Sequence, residues 1–177
     1  MATPPTCAHR LRAAVNTAEP KLRAMTDAES GRAAAPGTWS PKQIIGHLID
    51  SAANNHQRFV RGALQDELVF PGYTQDAWVA LQQYQDASWP DLLTLWASYN
   101  RQLAVVMSAI PAEDRLRVRA RHNLEQIAMR APTGEANATL DYLMSDYVDH
   151  LEMHLGQILG QILGSDWLAG LPSPAVN

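Results

Sequence analysis

The chain has 177 residues, of which 46% are hydrophobic, and its formal net charge of -4 argues against nucleic-acid binding because no extended positive field is present. Its single cysteine excludes an internal disulfide, and no apolar run approaches the ~20 residues that a membrane span needs. With no secretory signal at its start either, we expect a soluble, cytoplasmic protein with one sizeable core.

The first predicted helix runs from Thr6 to Ala28. Apolar residues recur there at three- and four-residue intervals on one face, as in a helix that packs against a core: Leu11, Ala14, Val15, Ala18, Leu22 and Met25. Pro20 lies inside this segment, where proline can kink a helix. The following stretch from Glu29 to Thr38 is rich in alanine, glycine and proline, and it predicts a loop.

The second predicted helix has a well-marked start. Ser40 has the residue type of an N-cap, Pro41 suits the first helical position, and Gln43 completes a capping box. The helix should continue through apolar positions and end near Gly62; these positions are Ile44, Leu48, Ala52 and Phe59.

A long connection and a third helix follow. The sequence from Phe70 to Tyr73 predicts a turn, and the loop that contains it is a candidate lid. We expect a short helix from Asp76 to Gln85. The third long helix should open at Ser88 and end before Pro111. Its predicted core face comprises Leu92, Leu95, Trp96, Tyr99, Leu103 and Val106.

The helical pattern weakens between residues 111 and 138 and returns in a final helix. Thr139 should cap this helix, which continues to about Leu163. Four long helices without a period-two strand pattern predict an all-α four-helix bundle, and the two long connections favour an up-down-down-up order. We expect residues 1–165 to form this single domain and residues 166–177 to form a flexible tail.

Three histidines form a candidate metal site. His150 and His154 are spaced i,i+4 on the final helix, so their rings can converge on one ion. His47 lies on the core side of the second helix. Each ring could instead be a partly buried histidine with an ordinary hydrogen-bond partner, but three polar rings beside apolar stripes would fill a core poorly. Neutral imidazoles suit zinc, nickel, iron or copper, and three protein ligands with an open position are typical of catalytic sites.

Several polar residues could support this site. Glu152 lies about 200° around the helix from His150, so it cannot be the general base of an HExxH motif. Asp50 and Asp146 share the helix faces of the histidines, and we predict supporting catalytic roles for them, with ordinary bundle hydrogen bonds as the alternative.

Two further residues lie on the same faces. Arg58 follows His47 by three turns and could bind an anionic substrate, although an exposed arginine is the commoner outcome. Tyr147 precedes His150 by one turn, and we expect its ring to pack in the core.

Three segments resemble the DinB-like (DinB/YfiT-like) superfamily of metal-dependent enzymes: residues 38–50 (TWSPKQIIGHLID), 54–59 (NNHQRF) and 146–158 (DYVDHLEMHLGQI). A tryptophan before the second helix, one histidine on that helix and an HxxxH pair on the last helix characterise the family. These positions are Trp39, His47, His150 and His154. Relatives often have His-His where this chain has Met153-His154, which leaves the pair intact.

The resemblance implies an up-down-down-up bundle, a divalent metal and often a homodimer. Zinc or nickel are the metals it favours, with iron or manganese as further candidates. Related proteins include thiol S-transferases that use bacillithiol or mycothiol and hydrolase-like proteins that act on electrophiles.

Two hypotheses for function therefore remain open. In the first, an ion on the three histidines activates water or a low-molecular-weight thiol for attack on a small electrophile. In the second, the protein is a noncatalytic, metal-stabilised helical dimer that binds a small molecule or a partner protein. A closed site with four ligands would favour the second hypothesis.

Overall fold

Four long helices make up most of the chain. The computed structural model describes residues 6–163, with side-chain surroundings up to residue 160. The long helices are α1 (Cys7–Arg23), α3 (Pro41–Leu64), α5 (Trp89–Ala109) and α8 (Leu140–Leu163). Their connections contain α2 (Asp27–Ser30), α4 (Gln75–Leu81), α6 (Ala112–Leu116), α7 (Leu124–Ile127) and 3₁₀ turns at Tyr84–Asp86 and Glu135–Asn137. Within residues 6–163 the β-structure is limited to an isolated bridge between Leu68 and His122, so the predicted all-α fold is confirmed.

The helices pack as a ring in which α1 and α3 each contact both α5 and α8. Helix α1 runs antiparallel to α5. At one end of this pair the Trp89 indole donates to the Leu22 carbonyl at 3.0 Å, and further along Arg12 donates to the Ala104 carbonyl at 3.4 Å. Two contacts show that α3 runs antiparallel to α8. His47 contacts His150, whereas Phe59, which is later in α3, packs against Tyr147, which is earlier in α8.

The other two helix pairs run parallel. Ser40, just before α3, donates to Gln85 just before α5, and His56 contacts Tyr99 further along both helices. Arg10 near the start of α1 pairs with Asp149 in α8. Met25, just beyond the end of α1, lines a groove together with Ile158, which is later in α8 than Asp149. The four directions give the predicted up-down-down-up order.

The first helix is shorter than predicted. It ends at Arg23 instead of Ala28, because Thr26 starts the separate short helix α2 through its own capping box with Glu29. The predicted helix from Asp76 to Gln85 is also divided. Helix α4 ends at Leu81, and Gln83 adopts a left-handed conformation (φ 53°) before the 3₁₀ turn.

Both predicted helix caps are confirmed. Gln43 N–H donates to the Ser40 hydroxyl at 3.3 Å, and Ser40 N–H donates to the Gln43 side chain at 2.9 Å. Tyr142 N–H donates to the Thr139 hydroxyl at 3.0 Å. Helix α3 runs past the predicted end at Gly62, where a Cβ would lie 2.9 Å from a methyl of Leu68. This glycine therefore serves close packing and does not end the helix.

A buried arginine anchors the connection between α5 and α8. Arg119 is 2% exposed and donates to the carbonyls of Gly62, Asp114 and Arg117. The Gly62 carbonyl lies in the last turn of α3, where helix carbonyls lack partners of their own. Arg119 thereby fastens a weakly patterned segment to the bundle.

Two sequence-based expectations are not tested by the fold. The predicted tail, residues 166–177, lies outside the described residues, and the domain boundary at residue 165 stays a prediction. None of the described helices is long and apolar enough to cross a membrane. The cytoplasmic location also stays a prediction.

We predict that Gly46→Ala destabilises the fold by ~1–3 kcal/mol, because overpacking forces rearrangement. A Cβ at Gly46 would lie 2.1 Å from Cδ2 of the Tyr84 ring, which packs against α3. Urea unfolding measures the change. Gly160→Ala is the matched control, since none of the described residues lies within 4 Å of its added Cβ, and this substitution should stabilise α8 by up to ~1 kcal/mol. Equal effects of the two substitutions would contradict the close-approach explanation.

Candidate metal centre

The three predicted histidines meet between α3 and α8. His47 Nε2 lies 3.1 Å from His150 Nε2, and one nitrogen of each of His47, His150 and His154 lies within 4.8 Å of the other two. The three ring centroids are 4.6 to 5.0 Å apart. The site combines one residue of α3 with two residues, one turn apart, of the antiparallel helix α8.

The neighbours of His47 hold its ring in the bundle. The preceding Gly46 allows Tyr84 to pack directly on the α3 backbone. Trp39 lies just before α3, and its ring centroid is 5.1 Å from that of His47. The tryptophan that precedes the second helix in the family resemblance therefore packs against the histidine itself.

Burial keeps the three rings neutral. Desolvation, with a smaller contribution from His154, lowers the pKa of His47 to about 4. Desolvation and the two neighbouring histidines lower the pKa of His150 to about 3. Burial also lowers the pKa of His154, although its contact with Gln157 opposes this change. Neutral imidazole is the form that binds a metal, so the environment favours the ligating state near pH 7.

Gln157 selects one tautomer of His154. The Nδ1 atom of His154 lies 2.8 Å from Oε1 of Gln157, an acceptor, so Nδ1 must hold the proton. The Nε2 lone pair of His154 is thereby left free for an ion, as in many metal sites where the second ring nitrogen donates to an oxygen. Sequence reasoning missed Gln157, although its i,i+3 spacing from His154 is visible in the chain.

The nitrogen geometry fits a divalent ion. Two nitrogens bound tetrahedrally to one zinc at ordinary Zn–N lengths lie about 3.3 Å apart. The 3.1 Å separation of His47 and His150 is close to this value. One ring nitrogen of the site is unsatisfied: Nδ1 of His47 is buried and has no hydrogen-bond partner among the described residues.

Asp50 lies one turn after His47 on α3. Its Oδ1 accepts from the Tyr84 hydroxyl at 2.7 Å and from the Gln82 amide at 2.5 Å. Its Oδ2 is buried without a partner, and burial raises the pKa of the carboxyl despite these two hydrogen bonds. Tyr84 and Gln82 therefore hold Asp50 in place, and one oxygen remains without a partner.

Asp146 has a different setting, one turn before His150. Its two oxygens accept from the backbone N–H groups of Met129 (2.7 Å) and Arg130 (2.9 Å), which attaches the residues after α7 to α8. Burial raises the pKa of Asp146, and these hydrogen bonds oppose the change. Among the described residues, neither Asp50 nor Asp146 hydrogen-bonds to a histidine of the site. Their supporting roles stay predictions.

A cavity of about 480 Å³ opens beside the histidines, a size that suits a small molecule. Its walls come from α3, α8, the predicted lid loop and the segment around α7; they include Ser51, Asn55, Arg58, Gly72, Tyr73, Gln126, Met129, Asp146, His150 and His154. The two long connections thus complete the walls of the cavity.

Three other sequence-based expectations have clear outcomes. Tyr147 is buried and donates to Asn100 Oδ1 at 2.5 Å, as the packing interpretation predicted. Glu152 pairs with Arg10 on the α1 side of α8. Arg58 is buried and lines the cavity, so the alternative of an exposed arginine is wrong.

A family model of the DinB superfamily matches residues 10–158. The chain belongs to the DinB superfamily. This finding confirms the resemblance seen in the sequence, and the match spans all four long helices of this DinB superfamily protein.

The fold of this DinB superfamily protein is also similar to a solved structure, that of YfiT from Bacillus subtilis. YfiT is described as a probable metal-dependent hydrolase with an unusual four-helix bundle topology. The TM-score is 0.72 at 20% sequence identity, and the match covers 89% of this chain and 86% of YfiT. At this identity the similarity shows the fold alone. A search of the curated proteins finds no significant match.

We predict that acid destabilises the metal-free protein through these histidines. The unfolded chain protonates histidine near pH 6.5, whereas folded His47 and His150 resist protonation to about pH 4 and 3. The contribution of these histidines to the free energy of unfolding is therefore complete above about pH 6.5. Below that pH, each histidine lowers the free energy of unfolding by ~1.4 kcal/mol per pH unit.

Urea unfolding of chelator-treated protein between about pH 7 and pH 5 measures this slope. The variant with His47→Ala, His150→Ala and His154→Ala should have a flatter profile. The buried carboxyls are present in both proteins, so their titration cancels in the difference. Parallel profiles would contradict the assignment of neutral buried histidines.

Proposed function

We propose that this protein is a metal-dependent enzyme that acts on a small electrophile, by hydrolysis or by thiol S-transfer. His47, His150 and His154 would hold the divalent ion. The observation that supports this proposal most directly is the convergence of three neutral histidines, two of which line a cavity of about 480 Å³. The description of YfiT as a probable metal-dependent hydrolase is consistent with it.

A bound divalent ion would supply Lewis acidity that lowers the pKa of coordinated water or thiol. The residues of the chain prepare the site for this chemistry. Burial keeps the three imidazoles unprotonated, and Gln157 directs the Nε2 lone pair of His154 inward. The cavity beside His150 and His154 gives a small substrate a place to approach.

The number of ligands supports an enzyme over the noncatalytic alternative. Structural zinc sites have four protein ligands and are closed to solvent, whereas catalytic sites keep an open position. Across the part of the chain whose side chains are described, three candidate ligands converge. Zinc or nickel as the metal, a low-molecular-weight thiol as cosubstrate and a homodimer are parts of the proposal that the family resemblance suggests.

We further propose that Asp50 orients His47. Each has one buried atom without a partner, Oδ2 of Asp50 and Nδ1 of His47, and the two residues are one turn apart on α3. A carboxylate that accepts, directly or through water, from the second ring nitrogen would fix the ligating tautomer. Asp146 would act less directly, by holding the wall of the cavity through Met129 and Arg130.

We expect His150→Ala to lose bound metal, because it removes one of three ligands. Metal content per chain is measured by plasma mass spectrometry on untagged protein purified without chelators. His56→Ala is the matched control, since His56 lies on α3 and contacts Tyr99, away from the histidine site. The parent and the control should retain about one ion per chain.

Turnover should follow metal content in these variants. Hydrolysis and thiol-transfer assays on small electrophiles should show activity in the parent and His56→Ala and none in His150→Ala. Activity that persists in metal-free protein would refute the proposed function.

We expect Asp50→Asn to weaken metal affinity about 10- to 100-fold, the usual effect of removing an outer-shell carboxylate. The amide oxygen of asparagine can still accept from Tyr84, so the fold should be retained. Competition with a chromogenic chelator measures the affinity, and circular dichroism checks the fold. Unchanged affinity would show that Asp50 has only a packing role.

A further inference from the structure

We propose that Arg58 is an anion-binding residue and that the substrate or cosubstrate of this site has a carboxylate or phosphate group. The inference rests on the proposed function and names the substrate class of the same cavity. The guanidinium would bind the anionic end of the molecule, while its reacting end lies toward the three histidines.

Arg58 is a buried cation without a buried counter-ion. It is 5% exposed, and its hydrogen bonds go to neutral oxygens, the Pro71 carbonyl at 3.1 Å and Asn55 Oδ1 at 3.5 Å. Among the described residues, no carboxylate lies within ion-pair distance of it. Burial accordingly lowers the pKa of Arg58 from its ordinary value. A buried charge left unpaired is costly, so a bound anion would stabilise Arg58.

Two other buried arginines of the same protein show what a structural role looks like. Arg10 forms ion pairs with Asp149 at 2.7 Å and Glu152 at 2.6 Å. Arg119 also has no carboxylate partner among the described residues, but it donates three hydrogen bonds to backbone carbonyls, those of Gly62, Asp114 and Arg117. Arg58 has neither arrangement. Two of its five N–H donors are engaged, one of them at the limit of hydrogen-bond length, which leaves three for a ligand.

The position of Arg58 fits a substrate that extends along α3. It lies 11 residues after His47, which on an ideal helix is about 20° around the axis and about 16 Å along it. Ser51 and Asn55 lie between them on α3, and both line the same cavity as Arg58, His150 and His154. The cavity wall therefore has a cationic end, a neutral polar middle and the candidate metal ligands.

The charge of the lining also favours an anion. The acidic residue in the cavity wall is Asp146, whose two oxygens already accept from backbone N–H groups. The planar guanidinium fork binds carboxylate or phosphate with two parallel hydrogen bonds, a geometry that lysine cannot reproduce. An Arg58→Lys variant should consequently keep the preference for anions and lose affinity.

The test is isothermal titration calorimetry of the purified protein with three probes: succinate, inorganic phosphate and neutral succinamide. We expect at least one anion to bind and succinamide to bind at least tenfold more weakly. A tighter succinate complex would assign a carboxylate substrate, and a tighter phosphate complex would assign a phosphorylated one. If neither anion binds to the parent protein, the proposal is wrong.

Variants then assign the binding to Arg58. Arg58→Gln should weaken anion binding at least tenfold with little change in melting temperature, and Arg58→Lys should have intermediate affinity. Arg61→Gln is the matched control, because Arg61 is exposed one turn further along α3 and bonds to Gln57. It should bind anions like the parent.

A structural role gives the opposite pattern. If Arg58 serves only to anchor the loop at Pro71, Arg58→Gln lowers the melting temperature and Arg58→Lys retains the parent affinity, which would overturn the proposal. His150→Ala separates this result from the metal proposal. Anion binding that survives in His150→Ala and fails in Arg58→Gln supports Arg58, even if the protein proves to bind no metal. Anion binding that fails in His150→Ala and survives in Arg58→Gln would mean that the anion binds to the metal ion, and it would exclude Arg58.

Discussion

The antiparallel packing of α3 against α8 is the constraint on which the rest of the site depends. It places His47 opposite His150 and His154, so that one nitrogen from each ring lies within 4.8 Å of the others. A shift of one residue along either helix would rotate a ring by about 100° and remove it from the site. The same pairing brings Phe59 against Tyr147 further along the two helices. The same register of the two helices therefore brings together both the aromatic contact and the three histidines.

The polar groups buried along this interface lower the stability that the core could otherwise reach. His47, His154, the Asp50 carboxyl and the Arg58 guanidinium are buried and His150 is half-buried, at positions where an apolar side chain would avoid the desolvation penalty. Arg10, by contrast, forms ion pairs with Asp149 and Glu152, and Arg119 donates to three backbone carbonyls. Groups that stay uncompensated beside a cavity are typical of functional sites, where stability is given up for binding or chemistry. Of these groups, Arg58, His150 and His154 line the cavity.

The connections between the long helices contribute as much to the site as the helices do. The loop before α4 and the segment around α7 close the walls of the cavity with residues such as Tyr73 and Met129. Asp146 attaches the α7 segment to α8, and the Pro71 carbonyl accepts from Arg58. Such loops tolerate variation more readily than a packed core does. The bundle fold is shared with YfiT at 20% sequence identity.

The sequence by itself determined the four long helices, two of their caps and the three histidines. These features depend on local rules: apolar periodicity, the Ser40–Gln43 capping box and the i,i+4 spacing of His150 and His154. It predicted one long first helix where the chain forms two, because the Thr26–Glu29 capping box competes with a continuous apolar pattern. The contact of Gln157 with His154 is local to α8, and the sequence analysis missed it. Only the tertiary structure decided that Asp50 is held by Tyr84 and Gln82 and that Arg58 is buried with no counter-ion among the described residues. The contacts of Asp50 and the burial of Arg58 depend on which distant segments pack against a given face of α3. Helical periodicity predicts that a face is buried, but it does not predict which residues pack against that face.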